Sequence, residues 1–225
     1  MAYLRLIWAI ARKDMMIELR TYERLAAMSA FAVLVGILFN YAIDTSLVRP
    51  REIASGLIWM TIIFGGMLGM GRTFQLEEKD GTIEGILQSP IPLDAIYLGK
   101  VIANFVLLTV ITGIIFIVFG VFFNLQFADN IIALVGIVSF GILGFVAINT
   151  LFSAMASRST MGESLLPVLV FPLVVPIIIY GSTATSRLFA GRPFDEVTGN
   201  IRMLAAIAIL FLVVGAWLFS FVIEE

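Results

Sequence analysis

Cysteine and histidine are both absent from the 225 residues. Without cysteine there is no disulfide framework, and the usual zinc ligands are missing. Without histidine the commonest axial ligand of haem iron is missing too. Charge is scarce: Asp, Glu, Lys and Arg make up 13% of the chain, about half the share of an ordinary soluble domain. The net charge of −2 gives no basic footprint for nucleic acid. Carboxylates are missing from every long apolar run, which disfavours a proton- or sodium-coupled carrier or a membrane enzyme, since both recruit ionisable groups there.

What fills the chain is apolar, 60% of all residues. No charged residue occurs in Leu25–Ile43, Ile53–Gly71, Val101–Ala128, Asn130–Ser157, Ser164–Ser186 or Met203–Ile223. Each window is long enough to cross a bilayer core as a helix, which needs about 20 residues. Backbone groups in lipid must bond within their own segment, so helices are the expected solution. The sequence therefore predicts an all-α integral membrane protein with six transmembrane helices. A cleavable signal is not expected, because a mixed segment of helical pattern precedes the first run.

Six crossings place both ends of the chain on one side. That side carries Arg5, Arg12, Lys13, Arg20, Arg24, Arg72, Lys79, Lys100 and Arg158, whereas Arg49, Arg51, Arg187, Arg192 and Arg202 fall on the other. The positive-inside bias then predicts cytoplasmic termini. Residues 1–24 read as an amphipathic helix at the membrane surface, with Leu4, Trp8, Ala11, Met15, Leu19 and Tyr22 as its apolar stripe and its cations beside them. Residues 25–225 form the six-helix domain, interrupted by a polar cytoplasmic loop over 72–100.

Within the spans, Gly65, Gly66, Gly69, Gly71, Gly136, Gly141 and Gly144 are read as close-packing positions. Asn40, Asn104 and Asn149 are expected to bond across helices. In the fifth span, Pro167, Pro172 and Pro176 each remove a backbone donor, which predicts a kinked or broken helix. That break is either an architectural bend or a wall that moves. Glu163, at the start of this span, favours the helix N-terminus; its alternative role is gating.

The polar loop, "EEKDGTIEGILQSPIPLDAIYLGK", is the most informative stretch. Gly81 stops an extension of the second span. Thr82 then caps a short helix with Glu84 in its first turn and Ile83, Ile86 and Leu87 on one face. Pro90 and Pro92 end it. Asp94 is expected to cap the next helix, and Lys100 to snorkel at the membrane interface. Nothing in lipid requires a short amphipathic helix held between two supports, so the loop reads as a docking element for a cytoplasmic partner. ATP is not expected to bind here: Gly99-Lys100 lacks both the leading glycine and the following hydroxyl of a phosphate loop. The polar segments also leave no room for a nucleotide-binding domain.

This loop resembles that of ABC-2-type export permeases at Glu78, Gly81, Thr82, Glu84, Leu87, Ser89, Pro90, Gly99 and Lys100. Together with "NTLFSAMASRSTMGESLLPVLVFPLVVPIII" and six spans, the chain is similar to CcmB-type haem exporter permeases. The resemblance implies a subunit without enzymatic activity, in the bacterial cytoplasmic (inner) membrane. Its coupling residues would be Glu78, Gly81, Thr82, Glu84, Ile86, Leu87, Ser89 and Pro90, engaging a separate CcmA-like ATPase. CcmC-like and CcmD-like membrane proteins are the further partners implied. No cofactor is expected on this chain: partners bind ATP and ligate haem, and the ten methionines are read as packing. The alternative is an ABC-2 permease exporting lipid, glycan or drug through the same kind of loop.

Overall fold

The computed structural model describes residues 2–43, 50–71, 74, 91–125, 130–157 and 162–224. Seven helices account for nearly all of them: α1 (Ala2–Thr21), α2 (Glu23–Ala42), α3 (Pro50–Met70), α4 (Leu93–Phe123), α5 (Ile131–Ser157), α6 (Gly162–Phe189) and α7 (Asp195–Glu224). No strand occurs among the described residues. Helices α2 to α7 are each long and apolar enough to cross a membrane, one for each uncharged window of the sequence.

The core is built around α5, which packs against α3, α4, α6 and α7. Glycines on α5 and its neighbours admit side chains from facing helices. Trp59 of α3 lies against both Gly141 and Gly181, and a Cβ at either glycine would collide with the indole. The same indole is fully buried and donates from Nε1 to Thr185 Oγ1 at 3.0 Å, so its polar edge is satisfied inside the bundle. Gly66 meets Phe145, Gly69 meets Met28, and Gly144 meets Ala208 and Ile177. Gly136 departs from this pattern: a Cβ there would meet nothing within 4 Å among the described residues.

Of the kink or break expected in the fifth span, the break does not occur. Helix α6 runs unbroken through Pro167, Pro172 and Pro176. Pro167 and Pro172 are exposed on its outer side, whereas Val170, Val174, Ile177 and Ala184 form an intact buried stripe. The prolines thus weaken backbone bonding on the outside, and the packed inner face keeps the helix together.

Between α1 and α2 the chain turns at Tyr22, a non-glycine residue with φ of 52°. Such a backbone costs roughly 1–2 kcal/mol and needs local support. Glu18 supplies it: its carboxylate accepts from the Leu25 amide at 2.9 Å and from Arg24 Nε at 2.6 Å. A side chain of the first helix therefore caps the start of the second.

Helix α4 has 31 residues, about 46 Å at 1.5 Å per residue. That exceeds a hydrocarbon core of about 30 Å. The apolar stretch begins only at Val101, so the turns from Leu93 to Lys100 extend beyond it. Helix α1 packs against these extending turns.

Candidate functional site

The coupling residues expected from the sequence, Glu78, Gly81, Thr82, Glu84, Ile86, Leu87, Ser89 and Pro90, lie outside the described residues, as does the side chain of Glu163. The structure does describe what holds both ends of that segment: Met70, Gly71 and Phe74 before it, and α4 from Leu93 after it.

Lys100 is the centre of this arrangement. It does not snorkel outwards; its side chain is 2% exposed and turns into the protein. Its Nζ lies 3.2 Å from Asp14 Oδ2 of α1 and 4.6 Å from the ring centroid of Phe74. One ammonium thus joins the chain on both sides of residues 75–90 and reaches the N-terminal helix as well. Its reason for facing inwards is electrostatic: a buried cation needs a charged partner, and Asp14 provides one.

Gly99 explains how α1 comes so close. A Cβ there would lie 2.8 Å from Ile10 and 3.0 Å from the Ile7 carbonyl oxygen, so only glycine lets the helices seat. The Gly-Lys pair therefore has two jobs: Gly99 admits α1 and Lys100 fastens it. Asp94 also differs from its expected role as a cap. Pro92 is the cap residue and makes no side-chain cap bond. The Asp94 carboxylate instead accepts from the Tyr3 hydroxyl at 2.6 Å. That hydrogen bond, with lesser help from burial and the carboxylate charge, pushes the Tyr3 phenol from about 10 up to about 12.

The face of α1 turned to α4 is Ile7, Ala11, Asp14 and Glu18, at helical spacing, with all but Asp14 buried below a tenth. Most of the stripe read as apolar from sequence points the other way: Leu4, Trp8, Leu19 and Tyr22 are exposed outside the bundle. Two acidic residues, Asp14 and Glu18, on an inward face were the missed signal. They mark where cations must wait on a neighbouring helix.

Deeper in, polar groups continue across the helices. Arg24 NH1 lies 3.5 Å from Asn104 Oδ1, and Asn104 Nδ2 donates to Thr150 Oγ1 at 3.1 Å. Ser153 Oγ contacts the carbonyl oxygens of Met70 and Gly71 at 3.2 and 3.1 Å, tying α5 to the end of α3. Asn40 donates to the Phe122 carbonyl at 2.8 Å, a cross-helix bond as expected. Asn149 is the exception. It is fully buried, and neither amide atom has a partner among the described residues.

The family description "CcmB protein" matches residues 5–224, spanning α1 and all six long apolar helices. This chain belongs to the CcmB family. Its CcmB relatives include "Heme exporter protein B" of Bradyrhizobium diazoefficiens, 25% identical over 208 residues and 92% of each chain. "Heme exporter protein B" of Escherichia coli K12 is 25% identical over 210 residues, covering 90% of each. That of Paracoccus denitrificans is 27% identical over 205 residues, 89% of this chain and 90% of the relative. With six apolar helices and a CcmB match of this extent, the chain is a multi-pass bacterial membrane protein of the transporter-component type.

Proposed function

We propose that this chain is the membrane permease subunit of an ABC-type haem exporter acting in c-type cytochrome biogenesis. The observation that carries this reading is the CcmB-family match over residues 5–224, on a chain with six helices fit to span a membrane. Haem is the cargo handled by the complex, and this chain, with no histidine, leaves iron ligation to a partner.

In this reading the chain lies in the bacterial inner membrane with both termini cytoplasmic, and α1 rests at the cytoplasmic surface. A CcmA-like subunit binds and hydrolyses ATP, and CcmC-like and CcmD-like proteins complete the assembly. The motor presses on the segment carrying Glu78, Gly81, Thr82, Glu84, Ile86, Leu87, Ser89 and Pro90. Movement of that segment passes to α4 and α1 together, because Lys100 contacts Phe74 at 4.6 Å and Asp14 at 3.2 Å. Pro167 and Pro172 give α6 a yielding outer face, with Pro176 deeper in the same helix, and Glu163 at its start, on the same side of the membrane as Lys100, is the gating residue. A unit that is rigid at Lys100 and compliant at the prolines converts a push on the cytoplasmic side into a bend of α6 within the membrane.

The test is affinity purification of the tagged chain from its native membrane, paired with a haem stain for c-type cytochromes in a deletion strain. An ATP-binding subunit is expected to co-purify, and the deletion is expected to lose its c-type cytochromes. Purification without any nucleotide-binding protein, or normal cytochromes in the deletion strain, contradicts the proposal.

A further inference from the structure

At the α1–α2 corner, beside α4, there is a crevice of about 110 Å³. Its walls grade from charged to apolar along one direction. Asp14, Glu18 and Arg24 stand at one end; Leu25, Val106, Leu107 and Val110 continue from it. The gradient follows the membrane normal. Arg24 lies at the level of Asn104, in the first turn of the uncharged stretch after Lys100, and Val106 and Val110 follow deeper into that stretch. Val106 and Val110 are 41% and 49% exposed, so the apolar part opens to the outside of the bundle.

The charged end is lined by Asp14, Glu18 and Arg24, and both of its carboxylates are already held by cations. Asp14 pairs with Lys13 at 3.3 Å and with Lys100 at 3.2 Å, while Glu18 pairs with Arg24 at 2.6 Å and accepts the Leu25 amide. Two carboxylates thus face three cations, and both are engaged within the protein. Arg24 spends Nε on Glu18 and one NH1 bond on Asn104, and its side chain remains 22% exposed. A guanidinium carries five donors, so it retains capacity for a phosphate.

We propose that this crevice binds one anionic glycerophospholipid, its phosphate on Arg24 and an acyl chain along Leu25, Val106 and Val110. An amphiphile matches the gradient from cation to hydrocarbon; a free phosphate leaves the apolar portion empty. The lipid holds α1, α2 and α4 together at the corner that Tyr22 turns.

The test uses the full chain reconstituted in phosphatidylethanolamine vesicles with a trace of phosphatidylglycerol bearing a photoactivatable group in one acyl chain. Crosslinked peptides are mapped by mass spectrometry. Labelling is expected to concentrate on residues 19–25 and 103–110. Arg24→Gln is expected to lower it about fivefold or more, the scale of one basic contact with an anionic lipid, with Arg24→Lys retaining most of it. Val106→Trp, at a half-exposed position that leaves the ion pairs intact, is expected to lower it by filling the crevice. Far-ultraviolet circular dichroism and the thermal unfolding midpoint report whether each variant is folded. Labelling spread evenly over the outer faces, including Val213 of α7, and unchanged by Arg24→Gln and Val106→Trp overturns the proposal. So does loss of crevice labelling in native membranes, which would show that a protein covers the site.

Discussion

The ammonium of Lys100 lies 3.2 Å from the carboxylate of Asp14, across 86 positions of sequence and inside a helix contact that Gly99 makes possible. Breaking a buried ion pair by removing one partner costs about 3–5 kcal/mol, because the other charge remains buried. Asp14→Asn and Lys100→Met are each expected to lower the thermal stability of the purified chain and to impair transport. Asp14→Lys combined with Lys100→Asp is expected to recover part of both losses. A double variant as impaired as the sum of the single ones would show that the two groups do not interact.

Gly141 and Gly181 form the slot for Trp59, and the indole is the one fully buried tryptophan, Trp8 and Trp217 being exposed. Gly141→Ala is expected to displace the ring and cost about 1–3 kcal/mol, the usual penalty of overpacking. The displacement also loosens the bond to Thr185. A red shift of the buried tryptophan emission with a lower unfolding midpoint checks it. Unchanged emission would mean the slot has slack that the packing does not reveal.

Tyr3 and Asp94 make a pH-dependent tether. The phenol is raised to about 12, so its protonated form is favoured in the fold. The tether's contribution is fully present below the ordinary tyrosine value near 10 and is lost as pH rises through about 12. Ultraviolet titration of the native chain minus that of Tyr3→Phe isolates this phenol. The expected midpoint is near 12, and a midpoint near 10 would show the bond is not formed in solution.

Asn149 and Asn104 should respond in opposite ways to the same substitution. Asn149 has no partner among the described residues, so Asn149→Leu removes a buried, unsatisfied amide and is expected to be neutral or stabilising. Asn104 bridges Arg24 and Thr150, and Asn104→Leu takes this bond from the buried Thr150 hydroxyl, costing about 1–3 kcal/mol, while Arg24 keeps Glu18. Unfolding midpoints in one detergent compare them directly. If Asn149→Leu abolishes transport while stability holds, the amide serves a ligand or a second conformation.

How much of this could be read in the sequence depends on the kind of signal. Uncharged windows gave all six long helices, because a bilayer imposes length and apolarity on a continuous segment. The polar loop and its Gly-Lys end were visible for the same reason: they interrupt the pattern. Lys100 pointing inwards was not legible, since its partner Asp14 lies in another helix and no local rule pairs them. Nor was the face that α1 turns to α4: Ile7, Ala11, Asp14 and Glu18 lie beside the apolar stripe, and it is Gly99 on the other helix that lets them seat. The three prolines allowed a break as well as a kink, because sequence does not show that Val170, Val174 and Ile177 hold the other side of α6 together.

The account depends on a separate motor gripping the segment between Phe74 and Ile91. The chain has no cysteine of its own, so Leu87→Cys gives a single reactive position there. Crosslinking in native membranes with a short thiol-reactive reagent, followed by identification of the attached protein, is the most direct measurement. The expected result is one dominant adduct with an ATP-binding subunit, absent from a Val213→Cys control on the outer face of α7. No such adduct, in cells where Leu87→Cys still supports c-type cytochrome formation, would contradict the account.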